Sequence, residues 1–464
     1  MRKIIFTRSL IGIIFLFLMH SGYGQNDSVL LISLEEAKKY ALEYNLTLKN
    51  AKLDIESAKK KIWETTAMGL PHAEATGSWT YNFTVPEFFE AFYLQDVLTD
   101  PEVIRDLMQN PADSARIIEN ALEERINQSK QSAVIDFTVT QLIFSGSYLV
   151  GLQTSKIYKN LSNYGYESIE NDVIANVINS YFLVLITKEN LEIMDSTYEN
   201  TRQLYFDINA MFEQGLVEET DVDQLKLSML TMQNSISTLN RQLEIVDRLL
   251  KFQIGLDFDK KVVLADTLQN LVETMNFTNI LQEEYVVEQD PRYNLLKTQE
   301  QLKEQNVKLQ KSAFLPTVSA YYRRHENLNK DAIDIQPPDV LGVNVSIPLF
   351  SSFERVSKVQ QAKIELIKTQ NSNSDAVRGL IMGFEEAKSS YISAMDKYEY
   401  TLENIALSKR IYEKTIIKYK NGLASSTELT QVQNQYLQNQ SEYINTVNEL
   451  IGAKLELEKA LNKF

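Results

Sequence analysis

The chain contains two long apolar seams that repeat each other at a fixed distance. In the first, every seventh residue is apolar: Val177, Val184, Leu191, Tyr198, Tyr205 and Phe212. The same step, 207 residues later, gives Phe384, Tyr391, Tyr398, Ile405, Tyr412 and Tyr419. A seven-residue apolar step is typical of helices that pack side by side in a coiled coil. The sequence therefore predicts one architecture built twice, and this repeat constrains the fold more than any other feature.

Each seam stops at a Gly-Leu pair, and a polar segment then leads into another helical pattern. Because glycine accepts a positive φ, each pair predicts a tight turn between two helices. We therefore expect two helical hairpins with matching tips. The equivalent tip positions are Gly215 and Gly422, Leu216 and Leu423, and Thr220 and Thr427.

The composition excludes several classes of partner and site. The formal net charge is -15 and the pI is near 4.9, which argues against nucleic acid or an anionic membrane surface as a partner. The chain has no cysteine. This excludes disulfides, thiolate metal sites, thiol nucleophiles and attachment through an acylated N-terminal cysteine.

The first 24 residues read as a signal peptide. Arg2, Lys3 and Arg8 precede the apolar run 10–19, and Gly22-Tyr23-Gly24 supplies small residues before a cleavage site. The mature chain is then expected to start at Gln25. The alternative is an uncleaved helical anchor, but the run is short for the ~20 residues of a bilayer span. No later segment is expected to reach that length, so further membrane residence would require β-strands.

Four stretches alternate apolar and polar residues with the period of a β-strand. They cover residues 72–83, 132–140, 317–323 and 341–347, and Leu-Pro pairs at 70–71 and 315–316 precede the first and third. One apolar and one polar face suit a barrel strand with lipid outside and water inside, although a half-buried strand of a soluble protein alternates too. The aromatic residues expected at the membrane interface are Trp79, Tyr81, Phe83 and Tyr322.

Four strands do not close a barrel, so other chains must complete it. Unpaired strand edges in lipid would each cost several kcal/mol per exposed backbone group. Three chains would give twelve strands and two would give eight, and both numbers remain open at this point. The insertion at 86–131 is expected on the external side, where barrels carry long loops, and its alternative is a surface decoration with no dedicated role.

The predicted layout is a signal peptide at 1–24, a first repeat at 25–255, a linker at 256–278 and a second repeat at 279–464. Ser33 and Glu36 form a capping-box pattern that begins a helix, which is interrupted near Asn45 and continues to about Ala67. The first long helix is expected to run from about Ser147 to Met211. Its partner in the second repeat ends at the tip at 422.

In order, spacing and duplication, these features resemble the TolC family of outer-membrane efflux proteins over essentially the whole mature chain. The resemblance implies a mainly α fold with a β-barrel portion, in which two tandem repeats of long helical hairpins, with two strands each, assemble as a trimeric tunnel. It also implies an outer-membrane location in a Gram-negative bacterium, with a large periplasmic part. The implied partners are two further copies, outer-membrane lipid, a periplasmic adaptor and an inner-membrane transporter.

By position, the resemblance assigns docking of the adaptor to the two tips and an entrance constriction to Glu428, with Asp221 as its counterpart in the first repeat. Gln431 stands where a second acidic residue is familiar in that family, which puts a double acidic ring in doubt. Both acids have another interpretation. A carboxylate in the first turn of a helix stabilises the positive helix end without any role in gating.

No enzyme or cofactor site is expected. His72 and His325 are the histidines that remain after the signal peptide, and their spacing does not suit a metal. Phosphate-binding, nucleophile-elbow and dinucleotide motifs are absent from the sequence. The function predicted is a conduit for efflux or secretion, with a periplasmic or surface coiled-coil scaffold as the alternative. A drug, a metal ion and a protein remain open as the transported substrate.

Overall fold

The computed structural model describes residues 29–274, 279–329 and 336–464. The predicted signal peptide and the predicted first mature residue, Gln25, lie outside these ranges. Within them, the chain is mainly helical with a few strands, which confirms the mainly α fold with a strand portion expected from the sequence.

The first half repeats its element order in the second half. The elements of the first half are β1 (Leu30–Ile32), α1 (Leu34–Tyr44), α2 (Leu46–Ala67), β2 (His72–Tyr81), α3 (Glu87–Thr99), α4 (Pro101–Gln109), a 3-10 turn (Pro111–Asp113), α5 (Ser114–Ser129), β3 (Gln131–Ser145), α6 (Gly146–Glu213) and α7 (Glu219–Ile254). A connecting segment follows with β4 (Val262–Leu264), α8 (Leu268–Thr274) and 3-10 turns at Asn279–Gln282 and Val287–Gln289. The second half then has α9 (Pro291–Ser312), β5 (Thr317–Asn327), β6 (Asp339–Ser346), α10 (Glu354–Lys420) and α11 (Ser426–Ala460).

Local signals in the sequence set the ends of the first helices. The Ser33 side chain accepts a hydrogen bond from the Glu36 backbone N–H, and the Glu36 carboxylate accepts from the Ser33 N–H at 2.8 Å. This confirms the capping box. The predicted interruption lies at Asn45, whose side-chain oxygen accepts from the N–H groups of Thr47 and Leu48 and so starts α2.

The described chain divides into two compact units, and each combines segments of both halves. The first unit holds the residues up to Ile55, Ser162–Leu296 and Ser374–Phe464. Its largest core packs buried side chains of α6, α7 and α11 together with those of α1. Fully buried members include Val177, Tyr181, Phe182, Leu250 and Ile451. Helix packing, rather than a sheet, therefore carries the stability of this unit.

The segment predicted as a linker takes part in this unit. β4 pairs in parallel with β1, from Leu30 with Val262 to Ile32 with Leu264. Asp266, just after β4, accepts a hydrogen bond from the Leu34 N–H and lies 2.8 Å from the Tyr181 hydroxyl. Three-residue strands are too short to show alternation, and their partners lie more than two hundred residues apart in the sequence, which explains why the pattern did not indicate them.

One expectation about apolar segments is wrong. Among the described residues, α6 is long and apolar enough to cross a membrane, although 56% of the qualifying window is buried inside the structure. Residues of α6 such as Val177 and Phe182 belong to the core of the first unit. We therefore interpret this segment as a core helix that is apolar on several faces.

The second unit, Glu56–Leu161 and Lys297–Asn373, contains an antiparallel four-stranded sheet in the order β2-β3-β5-β6. The register aligns the alternating patterns of all four strands. Phe137 pairs with Ala75, Val139 with both Ala73 and Tyr322, and Tyr322 with Leu341. The apolar positions of the four strands therefore share one face.

The opposite face of the sheet carries mainly polar residues. Thr138 pairs with Glu74 and Arg323, and Asp136 pairs with Thr76 and His325. β2 and β6 are the edges of the sheet within this chain. The four predicted strands are thus confirmed as one sheet with one apolar and one polar face.

The strand ends differ from the sequence prediction. The first strand was expected to reach Phe83, but β2 ends at Tyr81, although the Asn82 N–H still donates to the opposite Lys130 carbonyl at 2.7 Å. β3 and β5 are longer than predicted. A bulge between Leu142 and Phe144 accompanies the added length of β3.

The insertion between β2 and β3 folds as three helices, α3, α4 and α5. Tyr93 and Val97 of α3 are buried. Arg125 of α5 forms ion pairs with Asp96 at 3.5 Å and Asp100 at 2.9 Å, so it holds α3 against α5.

Candidate docking tips

Both hairpin tips end their long helix in the same backbone motif. At the first tip, Gly215 has φ 71° and its N–H donates to the Phe212 carbonyl, while the Leu216 N–H donates to Met211 at 3.0 Å. These two bonds define a Schellman motif, in which a left-handed residue satisfies the last carbonyls of a helix. An L-residue with a side chain is disfavoured at such a φ, which accounts for the glycine.

The second tip repeats this geometry. Gly422 has φ 69°, its N–H donates to the Tyr419 carbonyl at 3.0 Å, and the Leu423 N–H donates to Lys418 at 2.9 Å. The tight turns predicted from the two Gly-Leu pairs are therefore confirmed at both positions.

The leucines of the two turns are exposed. In a Schellman motif the residue after the glycine commonly packs back on its own helix. Leu216 is 65% exposed and Leu423 is 77% exposed. Thr220 and Thr427, on the helices that follow, are exposed as well. Each tip thus presents an apolar side chain and a nearby hydroxyl to solvent.

The helices after the two tips begin differently. At the second tip, Ser425 is the N-cap of α11 and its side chain accepts from the Glu428 N–H at 3.1 Å. At the first tip, Glu218 is the N-cap of α7 and makes no side-chain capping bond. The Thr220 hydroxyl donates to the Glu218 carboxylate at 3.3 Å. The second tip is therefore capped more completely than the first.

The two candidate constriction acids lie in these first helical turns. Glu428 is exposed, whereas Asp221 is partly buried. In the part of the chain that the structure describes, Glu428 does not return a side-chain bond to Ser425 as Glu36 does to Ser33. Its carboxylate therefore faces solvent without a fixed capping partner.

Asp221 lies near Tyr419 of the second repeat. Burial, and then the charge of Asp221, raise the pKa of the Tyr419 hydroxyl to about 12. Among the described residues, this hydroxyl has no hydrogen-bond partner. The phenol is therefore neutral at physiological pH, and its hydroxyl is buried at a cost.

A compact core supports the tips from all four long helices. It combines Leu204 and Ile208 of α6 with Val222 and Leu225 of α7, and it includes buried side chains of α10 and α11. The members from α10 and α11 are Tyr412, Tyr419, Leu429 and Tyr436. Tyr412 and Tyr436 stack at a ring distance of 5.4 Å.

A buried glutamine connects the four helices beneath the tips. The Gln433 amide of α11 donates to Thr201 of α6 at 2.7 Å and to Tyr412 of α10 at 3.1 Å, and it accepts from Ser228 of α7 at 2.8 Å. Gln433 is almost fully buried. The sequence prediction missed this residue. The available signal was a polar residue in an otherwise apolar seam, a position that commonly fixes helix register.

An ion pair joins the ends of the two long helices. Lys420 of α10 lies 3.0 Å from Asp207 of α6, and both side chains are partly exposed. The bond from Lys420 is the main cause that lowers the pKa of Asp207. The repeat at offset 207 gave no indication of this contact.

The predicted interface aromatics lie at separate places on the sheet and beyond it. Trp79 and Tyr81 lie near the loop end of β2, and the ring of Phe83 contacts that of Tyr81 at 5.3 Å. Tyr322 lies in the same cross-strand row as Ala73, and Ala73 is six residues before Trp79 along β2. The hydroxyl of Tyr322 donates to Asp339. The structure therefore brings Tyr81 and Phe83 into contact and places Trp79 two residues before Tyr81 on the same strand, while Tyr322 stands apart from them.

The described residues contain no group of acids and histidines arranged for a metal ion. His325 is buried on the polar face of the sheet, with Nδ1 2.7 Å from Asp136. His72 lies opposite Thr140 at the far end of β2. The two histidines thus lie in different cross-strand rows of the sheet and are not neighbours.

Comparison with known proteins shows which family this chain resembles. Residues 293–463 match the family model described as outer membrane efflux protein. The second repeat of the chain is therefore similar to the outer membrane efflux protein family. This is a family of transport proteins rather than enzymes.

A relative in sequence and two solved structures are also similar to this chain. Outer membrane protein TolC of Vibrio cholerae is 22% identical over 312 residues, which cover 64% of this chain and 66% of that protein. The CmeC outer membrane channel of Campylobacter jejuni superimposes with a TM-score of 0.71 at 17% identity, over 93% of this chain and 86% of that one. The open-state MtrE outer membrane channel of Neisseria gonorrhoeae gives a TM-score of 0.65 at 14% identity, over 92% and 88%.

The chain is located in the outer membrane of a Gram-negative bacterium, with a large periplasmic part. This confirms the location predicted from the sequence.

Proposed function

We propose that this protein is an outer-membrane channel that conducts substrates from an inner-membrane transporter and a periplasmic adaptor to the outside. The observation that carries the proposal is the four-stranded sheet with one apolar face and two unpaired edges. Phe137, Val139, Leu341 and Val343 of the apolar face are exposed in the single chain. Lipid is the environment in which such a face is stable.

The edges of this sheet require other copies of the chain. An unpaired edge in lipid leaves backbone groups without hydrogen bonds, and a closed barrel removes this cost. In the proposed assembly, β2 of each of three copies pairs with β6 of the next, which gives a barrel of twelve strands. The polar face, with Glu74, Arg323 and Asp136, then lines a water-filled passage.

The tips serve as the docking surface in this proposal. The exposed side chains of Leu216 and Leu423 offer apolar contacts to an adaptor, and the hydroxyls of Thr220 and Thr427 lie nearby. Glu428, with Asp221 as its counterpart, forms the entrance constriction. Each carboxylate from three copies would face the same opening, so repulsion among them and attraction for cations would shape the entrance.

The channel supplies a path and no energy. The partner transporter must therefore drive transport, while the tips open by a shift of packed helices against each other. The core beneath the tips joins both repeats through Gln433, so a displacement of one tip is transmitted to the other.

Single-channel recording in planar bilayers tests the proposal. The purified mature chain is expected to conduct, and Glu428→Ala is expected to raise the conductance because it removes charge and bulk from the entrance. Glu403→Ala, which removes an exposed acid elsewhere on α10, serves as the matched control and should leave conductance unchanged. A chain that inserts no channel would overturn the proposal and favour a scaffold, and an unchanged Glu428→Ala channel would remove the constriction from it.

A further inference from the structure

We infer that a cavity in the first compact unit is a binding site for a fatty acid, whose acyl chain lies on the apolar core and whose carboxylate binds lysines at the rim. The cavity has a volume of about 340 Å³, within the range of roughly 300 to 1,000 Å³ that is typical of small-molecule sites. Its lining residues all belong to one unit of a single chain, so the site requires no second copy and goes beyond the proposed channel function.

Faces of three helices form the walls of the cavity. Lining residues of α1, α6 and α11 recur at spacings of three and four, which places those of each helix on one face. The apolar side chains that the helices contribute are Leu34, Leu42, Ile174, Ile178, Ile451 and Leu455. All of them except Leu42 are at most 9% exposed and belong to the largest core of the unit. The floor of the cavity is therefore the surface of that core.

The apolar floor determines the body of the ligand. The backbone groups within these helices are paired with each other, so the floor presents apolar side chains rather than hydrogen-bonding groups. A peptide or a sugar would leave its own polar groups without hydrogen bonds there, at a cost in free energy. An acyl chain carries no such groups and gains free energy when it leaves water.

The rim determines the charge of the ligand. Its cationic residues are Lys38, Lys39, Lys454 and Lys463. Glu35 also lines the cavity and bonds Lys38 at 2.8 Å. Glu458 lines it as well and bonds Lys454 at 2.5 Å, and Lys463 pairs with Glu283. Four ammonium groups therefore stand against three carboxylates here, although the whole chain has a net charge of -15.

Two of these lysines have donors left for a ligand. The side chain of Lys454 is 13% exposed, and Glu458 occupies one of its three N–H donors. A nearly buried ammonium is stabilised when further acceptors reach it. Lys39 is exposed and forms no ion pair within the described part of the chain. A ligand carboxylate supplies acceptors at this rim, whereas a cationic head group is repelled by it.

Photolabelling of the purified mature chain tests the site. The protein is held in an amphipathic polymer, because the alkyl chains of a detergent would compete for the cavity. The probe is dodecanoic acid with a diazirine at the end of its chain. We expect most of the label on the peptides of α1, α6 and α11 that line the cavity. Unlabelled dodecanoate should remove this label, and dodecyltrimethylammonium, which has the same chain length and a cationic head, should not.

Two variants separate the carboxylate from the acyl chain. Lys39→Gln is expected to raise the dodecanoate concentration needed for half competition roughly threefold, because one exposed ion pair is lost. Lys60→Gln, at an exposed lysine of α2 that does not line the cavity, is the matched control and should leave this concentration unchanged. Leu42→Trp fills the cavity and should remove the label from its walls.

Three results would overturn the inference. The first is label spread over the exposed strands without a maximum at the cavity, and the second is equal competition by dodecanoate and dodecyltrimethylammonium. The third is a Lys39→Gln protein that behaves like Lys60→Gln, and this comparison stays decisive even if Leu42→Trp does not fold, because Lys39 is exposed. Each of these results leaves the channel intact, since its conductance is measured without the fatty acid.

Discussion

The two tips of this protein share a backbone and differ in their side chains. Both turns are Schellman motifs with glycine near φ 70°. At the second tip, however, Tyr419 is 8% exposed and α11 has a serine cap, whereas at the first tip the equivalent Phe212 is 37% exposed and α7 has no side-chain cap. The first-repeat counterpart of Gln433, 207 residues earlier, is Lys226, which is exposed. The repeat therefore determines the turns, while the second repeat supplies the buried tyrosines and the buried glutamine of the core that holds both.

Truncation of the equivalent tyrosines tests this asymmetry and should have the largest effect. Tyr412→Ala removes a buried ring and is expected to lower the free energy of local opening at both tips by about 3 to 5 kcal/mol. Tyr205→Ala, at the matching partly buried position, should cost clearly less. Hydrogen exchange of the tip amides in the purified protein measures both. Equal losses would show that the two repeats contribute equally.

Removal of the buried amide should have the next largest effect. Gln433→Leu keeps the approximate volume but leaves the hydroxyls of Ser228 and Tyr412 without their partner, at a cost of about 1 to 3 kcal/mol. Lys226→Leu is the control at the matching exposed position, where a surface change is expected to stay within about 0.5 kcal/mol. Hydrogen exchange of the tip amides measures the effect of both variants. A Gln433→Leu protein as protected as the wild type would mean that the network carries no stability.

Substitution of the N-cap residues offers a way to make the two tips alike. Ser425→Ala should cost about 1 kcal/mol at the start of α11, because the Glu428 N–H loses its acceptor. Glu218→Ser should stabilise the start of α7 by a similar or smaller amount. Protection of amides in the first turn of each helix distinguishes the two changes. If Glu218→Ser gives no added protection, the missing cap does not explain the difference between the tips.

The ion pair between the long helices should have the smallest effect. Lys420→Met is expected to cost at most about 1 kcal/mol, since both side chains are partly exposed. The bond from Lys420 lowers the pKa of Asp207, so its contribution is complete above the ordinary aspartate pKa of about 4 and is lost as the pH falls through the lowered value. Exchange at pH 7, compared with acid pH, should therefore show a difference between variant and wild type at the higher pH alone. A constant difference at both would exclude titration of Asp207 as its cause.

Local patterns predicted much of the fold, and contacts between distant segments account for what was missed. The glycines at 215 and 422, the capping box at Ser33 and the alternation of the four strands act over a few residues, so the sequence displays them directly. The pairing of β1 with β4 joins segments more than two hundred residues apart, and three residues carry no clear period. The buried face of the first long helix also departs from the seven-residue seam. Toward the tip, Leu204 and Ile208 are buried in place of Phe212, because packing against the second repeat selects a different face of α6.

The candidate docking tips show the same difference between local patterns and contacts of distant segments. The turns and the exposed leucines follow from a Gly-Leu pair, but Gln433 and the pair of Lys420 with Asp207 depend on how four helices are placed around each other. The insertion shows a related limit. Its sequence does not show that Tyr93 and Val97 are buried or that Arg125 forms ion pairs, and these contacts make it a folded element.

The number of copies in the membrane-extracted protein tests the central claim most directly, because the larger sheet in the described part of one chain has four strands and two open edges. Native mass measurement of the detergent-solubilised mature chain should give three copies, which close a barrel of twelve strands. A stable single copy, or a pair, would contradict the tunnel described here.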